Sequence, residues 1–415
     1  MEKIKVLSLG LSQINFLEQL FKKIKIKEDH FSFYADNFVN HTNIEPQKGI
    51  IDGFYNFEAE NISFFNGILY FFKSLRRKLF WKQFFLELHL KGIRSLWSFI
   101  KENSRNLYIV EKKILPLDFD VYHFNSMVKP RVKYAQYLPN DKNIVCSFWG
   151  LDLYQRSGVN NNYYTGLALK KANVITVQSI EMKEVVMAKF GRTLEEKIKV
   201  ITFPLSKTIF ELIDYYKTQP QKIDGYKNKL GIPKDKIVLS VGYNAASNAR
   251  HIEILKELEN LSPALKQKLV IVLPLTYGRD DSYLKDLNAC ISKLSYLDVI
   301  TIDDYMDWQD LALLKVSIDV VVQLPKNDAL SSAVLEVMYA GGIGVLGAWL
   351  PYGVYKRTNI HHEEIAAVNE LGMAIESVCS NLKTIKEHCK NNSVFIKEKF
   401  LSEKIDENWI SIYKT

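Results

Sequence analysis

QLPKNDALSSAVLEVMYAGG, residues 323–342, passes from an apolar run through a polar loop into a helical pattern that closes on glycine. DVVVQLP at 319–325 has the β-branched content of a buried strand, and GIGVLG at 342–347 begins another. A strand, a helix and a second strand of the same kind form a βα unit, which predicts parallel pairing. The rhythm continues upstream with IVLSVG at 237–242, KLVIVLP at 268–274 and VITI at 299–302. An earlier series runs IKVLSLG at 4–10, VYHFN at 121–125, NIVCSFWG at 143–150, VITVQS at 174–179 and KVITFP at 199–204. The two series, parted by a linker near Pro220, predict an α/β protein of two doubly wound domains facing a cleft, with ligands at the carboxyl ends of the strands. The expected bounds are 1–210, 211–392 and a helical tail, 393–415, packing back on the first domain.

Composition agrees with this size and class. A chain of 415 residues exceeds what one core usually organises, and 47% hydrophobic with 25% charged residues is a globular balance. The net charge of +8 is mild, so its distribution matters more than its sum. Cys146, Cys290, Cys379 and Cys389 are scattered without a CxxC pair, so neither a disulfide framework nor a thiolate metal site is signalled, and a reducing cytoplasm fits. MEKIKVLSLGLSQINF reads as a first strand, not a signal peptide, and charges interrupt the most apolar region, Ile62 to Ile100, too often for a membrane span.

Two segments carry donor chemistry. In 323–342, Asp328 lies in the loop beyond a strand, and Ser331 or Ser332 opens a helix that carries Glu336. Carboxylates accept hydrogen bonds from ribose and sugar diols, and a helix N-terminus suits a diphosphate. The alternative is a helix with a solvated carboxylate and an N-capping Asp or Ser. In VGYNAASNARHIEILKEL, 241–258, a strand ends at Gly242, a polar loop containing Asn244 follows, and a helix is expected from near Asn248. Loop N–H groups, Arg250 and His251 are candidates for phosphate, Arg279 for additional charge; a plain loop with an Asn cap is the other reading.

The first segment resembles the acidic-x7-Glu motif of retaining GT-B glycosyltransferases, which implies a sugar contact for Asp328 and a ribose contact for Glu336; this chain has Asp where that family usually has Glu. The block 241–258, together with IVLPLTYG at 271–278, SFWGLDLY at 147–154 and Phe203-Pro204, resembles the TDP-N-acetylfucosamine:lipid II N-acetylfucosaminyltransferase family. The matching positions include Gly242, His251, Pro274, Tyr277, Trp149, Gly150 and Asp152. These likenesses imply the GT-B fold, with two Rossmann-like domains, a nucleotide diphosphate sugar as donor, and a lipid-linked or lipopolysaccharide-type glycan acceptor. They further imply that backbone near Tyr305 and Met306 meets the nucleobase and that neither metal nor organic cofactor is needed, despite Asp303, Asp304 and Asp307.

On the acceptor side, Gly10, Trp149 and Gly150 close strands where a ligand approaches backbone. Asp152 is a candidate general base or orienting group, and His123 is either a catalytic partner or a satisfied core histidine. His361-His362-Glu363-Glu364 lacks the HExxH spacing and reads as a polar loop entering a helix. Between Lys73 and Lys101, eight basic residues stand against the single acid Glu87, interleaved with aromatics. That pattern predicts either contact with an anionic membrane at the inner face of the cell membrane or core helices with a basic solvated side, and it lacks a nucleic-acid module. A nucleotide-sugar 2-epimerase and a non-catalytic membrane scaffold are the competing functions.

Overall fold

The computed structural model describes residues 3–11, 15–37, 49–156, 158–294 and 297–415. The chain forms two compact units, Met1–Pro204 with Glu403–Thr415, and Leu205–Ser402.

The first unit holds seven strands: β1 (Ile4–Leu11), β2 (Phe31–Asn37), β3 (Gly53–Tyr55), β4 (Val121–Asn125), β5 (Asn143–Ser147), β6 (Val174–Val177) and β7 (Ile198–Val200). Their order is β3-β2-β1-β4-β5-β6-β7, and every pair is parallel. The second unit holds β8 (Ile237–Val241), β9 (Leu269–Pro274), β10 (Asp298–Ile302), β11 (Val320–Gln323), β12 (Ile343–Gly347) and β13 (Glu363–Ile365). Its order, β10-β9-β8-β11-β12-β13, is again all parallel. Both sheets therefore reverse winding beside their first strand, between β1 and β4 and between β8 and β11, which is where doubly wound sheets bind ligands.

The helices of the first unit include α1 (Asn15–Lys27), α2 (Phe64–Leu75), α3 (Lys78–Lys91) and α4 (Leu96–Ile109). Strand interiors such as Val238, Leu239, Val320 and Val322 are fully buried because parallel sheets are covered on both faces. The tail is two helices, Asn392–Phe400 within the second unit and Glu403–Lys414 within the first. Trp409 and Tyr413 bury against Phe31, Phe33 and Phe203 in the first unit's core, and the Trp409 indole donates to the Thr202 carbonyl at 3.0 Å. Residues 363–365 form the edge strand β13 instead of the expected loop into a helix. Among the described residues, no helix is long and apolar enough to cross a membrane, and no group of three or more ligating side chains is placed to hold a metal.

Candidate functional site

In the second unit, most of the donor-side residues gather at the switch point. The Gly242 amide donates to the Val322 carbonyl at 3.1 Å, tying the end of β8 to β11. Gly242 has φ +65, and a Cβ there would meet His251 Nε2 at 2.8 Å, so glycine is required both for its dihedral and for space. The loop that follows is tightly pinned. Asn244 accepts from the Ala246 amide at 3.0 Å, and the Ala245 amide donates to the Tyr277 carbonyl at 2.8 Å. Asn248 donates to the Asn327 carbonyl at 2.9 Å, while the Lys326 amide donates to the Asn248 carbonyl at 3.0 Å. Loops 243–250 and 325–328 thus form one platform.

The helix above this platform starts at His251, not near Asn248; residues Ser247–Ala249 make a short 3-10 turn, and Arg250, with φ +62, is the N-cap. The Arg250 side chain does not cap this helix, whose first amides, those of His251 and Ile252, face the Tyr283 hydroxyl instead. Arg250 lies beside them with its guanidinium 6.0 Å from the Trp349 ring, and Trp349 is itself held by a 2.8 Å bond to the Pro325 carbonyl. His251 does not supply the expected charge. Its ring is fully buried behind Gly242, Nδ1 lies 3.2 Å from the Tyr283 hydroxyl, and burial lowers its pKa to about 4, so it is neutral near pH 7.

Asp328 is the hub of a hydrogen-bond network. Its Oδ2 accepts from the hydroxyls of Tyr352 at 2.7 Å and Tyr243 at 3.4 Å and from the Gln323 amide at 3.1 Å, and its Oδ1 accepts from the Ala329 amide at 2.8 Å. Burial pushes the carboxyl above its ordinary range while these donors pull it back. The sequence suggests a sugar contact for Asp328; the structure adds that this carboxylate is already engaged inward. Ser331 is the N-cap of the helix Ser332–Ala340, its hydroxyl accepting from the Val334 amide at 3.4 Å, and Ser332 is exposed in the first turn. The serine spacing that suggests ligand contact therefore also serves the cap.

Glu336 is 9% exposed on that helix, and its Oε2 lies 3.1 Å from Lys315 Nζ. Lys315 also donates to the Ala333 carbonyl at 3.4 Å and lines a small pocket with Ser240, Gly242, Tyr243 and Pro274. Tyr277 borders the same region, its ring centroid 6.3 Å from that of Tyr243. Tyr305 stands apart with its side chain in solvent, and Arg279 is paired with Asp303 at 3.1 Å. Sequence reasoning missed Lys315, Tyr243, Trp349 and Tyr352. Lys315 had a signal, a lone cation inside the apolar run LALLKVSID; Tyr352 lies 24 residues beyond Asp328 with no local mark.

In the first unit, the carboxyl ends of β1, β2, β4 and β5 bring together Gly10, Asp36, Arg131 and Asp152. Gly10 has φ +84, and a Cβ would meet the Asn125 carbonyl and the Arg131 side chain at 2.7 Å. Arg131 donates to the Gly10 carbonyl and feels the charges of both Asp36 and Asp152. Asp152 is buried, with Oδ2 accepting from the Met127 amide at 2.7 Å and Oδ1 from the Trp149 amide at 2.9 Å. Its carboxylate fastens the loop after β4 to the turn after β5. Gly150, with φ +105, forms that turn, and the Trp149 ring stacks 4.1 Å from Phe203. His123 is corrected from catalytic candidate to core residue: it is fully buried, Nδ1 lies 2.8 Å from the Tyr413 hydroxyl and Nε2 2.6 Å from Ser147 Oγ, and burial lowers its pKa to about 3. Asp36, missed with the strand that carries it, is buried, accepts from the Phe57 amide at 3.1 Å and is raised to about 6 by burial.

No family model matches the chain, and no curated protein matches it. Solved structures do match along its whole length. HepE from Anabaena, in complex with UDP and glucose, aligns with TM-score 0.72 at 14% identity, covering 100% of both chains. The fold is GT-B. A second GT-B structure, a glycosyltransferase from Rickettsia africae, aligns at TM-score 0.68 and 13% identity over 100% of this chain and 98% of its own. A third, the UDP-forming α,α-trehalose-phosphate synthase of Burkholderia xenovorans in complex with glucose-6-phosphate, gives 0.67 and 13% over 100% of both chains. At these identities the likeness speaks for the GT-B architecture, and the chemistry must be argued from the side chains.

Proposed function

We propose that this chain moves a sugar from a nucleotide diphosphate donor, uridine- or thymidine-linked, to a lipid-linked or cell-surface glycan acceptor, working peripherally at the inner face of the cell membrane. The carrying observation is the convergence of Gly242, Arg250 and the buried Glu336 with its partner Lys315 at the β8/β11 switch point. That HepE has been solved with UDP-glucose, and the Burkholderia synthase with a sugar phosphate, supports a nucleotide-sugar donor on this scaffold. The resemblance of residues 143–347 to an N-acetylfucosaminyltransferase supports an amino or deoxy sugar.

In this reading Glu336 accepts hydrogen bonds from the ribose diol, and Lys315 holds the carboxylate in place. The Arg250 guanidinium, at the end of the loop after β8, receives the diphosphate. The bond between the anomeric carbon and the diphosphate oxygen breaks, the acceptor oxygen bonds to that carbon, and the acceptor proton leaves to solvent or a base. Negative charge grows on the departing diphosphate, so a cation held in advance beside it lowers the barrier. The Asp328 network shapes the loop under the sugar. Asp152, with Trp149 and Gly150, sets the acceptor-side loops. Neither a metal nor an organic cofactor enters this scheme.

A ligand that binds only the folded state stabilises it, by about 2.7 kcal/mol at a hundredfold excess over Kd. UDP or TDP is expected to raise the melting temperature of the wild-type chain, and Glu336→Gln to weaken that nucleotide by about tenfold or more in calorimetry, in keeping with a lost charged hydrogen bond. Unchanged affinity in the variant would remove Glu336 from the site. Product analysis with donor alone separates transfer from epimerisation.

A further inference from the structure

Helix α2 is turned inside out relative to the pattern of a surface helix, and α3 beside it also sends large aromatics outward. Helix α2 buries Tyr70 and Ser74 and exposes Phe64, Phe65, Ile68, Leu69 and Phe72, which share one face by their spacing. Its roll is fixed by the inward side: the Tyr70 ring packs edge-on against Tyr108 of α4 at 5.3 Å, and Ser74 donates to the Tyr70 carbonyl at 2.8 Å. Helix α3 has a mixed inner face. It buries Phe80 together with Gln83 and Glu87, which are 2% and 6% exposed, while Trp81 and Phe85 face solvent. Gln83 is locked inward by hydrogen bonds to Asn103 and Gln136, and Glu87 accepts from the Asn160 amide at 3.4 Å while pairing with Lys91 of its own helix. Beyond α3, Ile93 and Trp97 are 78% and 76% exposed.

An apolar surface this extensive on a soluble chain marks an interaction site. Its charge selects the occupant. Arg76, Lys78, Lys82 and Arg94 are exposed among the aromatics, and Glu87, the one acid from 73 to 101, is turned inward. We propose that the outer face of α2, α3 and the Ile93–Trp97 turn docks on an anionic lipid bilayer, the phenylalanines of α2 entering the acyl boundary and the cations of α3 resting on the headgroups. At 12 residues, about 18 Å, α2 is too short to cross a bilayer and the right size to lie in its interface. The inference deepens the proposed function by naming the surface that brings the enzyme to a lipid-linked acceptor.

The test is flotation of the full chain with phosphatidylcholine vesicles, with and without phosphatidylglycerol, alongside light scattering without lipid and UDP-dependent melting. The wild-type chain is expected to float with the anionic vesicles at least about tenfold better than with the neutral ones. Phe65→Ser/Phe72→Ser and Lys78→Glu/Lys82→Glu are each expected to reduce that binding by about tenfold or more, since each pair removes two groups that hold the face to an anionic bilayer. Equal recovery with both vesicle types, or no loss in either variant, overturns the proposal. So does a lipid-free dimer that the same substitutions dissociate, because the face would then belong to a second copy. The UDP-induced melting shift separates the two readings: if it persists while flotation fails, only docking falls, and if it is absent while flotation holds, only the donor assignment falls.

Discussion

Glu336 and Lys315 depend on each other for their presence in the interior. Each is nearly buried, and a buried ion left without its partner costs about 3–5 kcal/mol, whereas replacing both by apolar groups is often neutral. Lys315→Met is therefore expected to lower the unfolding free energy by about 3 kcal/mol and to weaken UDP binding, because the carboxylate loses the group that holds it in place. Lys315→Met/Glu336→Leu is expected to recover most of the stability and none of the binding. Denaturant titration read beside calorimetry checks both. A double variant that also regains UDP affinity would show the pair to be structural only. The sequence made Glu336 readable through its spacing from Asp328 and the helix between them. Lys315 comes from the helix Trp308–Ser317, and the contact that gives it meaning spans 21 residues of chain, which no local pattern encodes.

At the scale of elements, legibility followed hydrophobic content. Most of the strands legible in the sequence are rich in Val and Ile and buried, as in Leu269–Pro274 and Ile343–Gly347. Strands β3 and β13 have three residues each, and β13 is GluGluIle, a polar edge strand with no periodicity to detect. Missing β2 cost the reading Asp36, and α2 and α3 were left open between membrane and core because their spacing alone does not say which face turns inward. The βα junction at Gly242 was legible as a single glycine after a strand, but its tightness was not. Gly242→Ala and Gly231→Ala place a side chain at similar positive φ, +65 and +74, yet only the first meets an obstacle, His251 Nε2 at 2.8 Å, while nothing lies within 4 Å of the second. Overpacking adds about 1–3 kcal/mol to the shared backbone strain. Gly242→Ala is accordingly expected to lose that much more stability in urea unfolding and to weaken UDP binding. Equal losses in the two variants would mean that the loop yields and His251 is no floor.

For the whole molecule, the repeated doubly wound order places ligand-facing loops at two switch points, and that symmetry was visible in the spacing of the apolar runs before any side chain was placed. The interior chosen to support those loops carries an unusual proton inventory. His123 at about 3 and His251 at about 4 lie below the ordinary 6.5, so each contributes stability that is present above pH 6.5 and lost as pH falls. Asp36 acts in the opposite sense. Its folded pKa of about 6 exceeds the ordinary 3.8, so below pH 4 it is protonated folded or unfolded and costs nothing, and above pH 6 the fold bears the whole penalty of a buried charge. The gap of about 2 units corresponds to roughly 3 kcal/mol. Asp36→Asn keeps an oxygen that can accept from the Phe57 amide and removes the charge. Relative to wild type it is expected to show no stability gain near pH 4, a gain rising by about 1.4 kcal/mol per pH unit up to pH 6, and a plateau of roughly 3 kcal/mol beyond. Urea unfolding of the two proteins across that range measures the difference directly, with both histidines cancelling because they are common to both. A gain independent of pH would mean that Asp36 is ionised without penalty, its charge held by Arg131 and Lys133, and would place a carboxylate–arginine pair at the acceptor-side strand ends in place of a protonated acid.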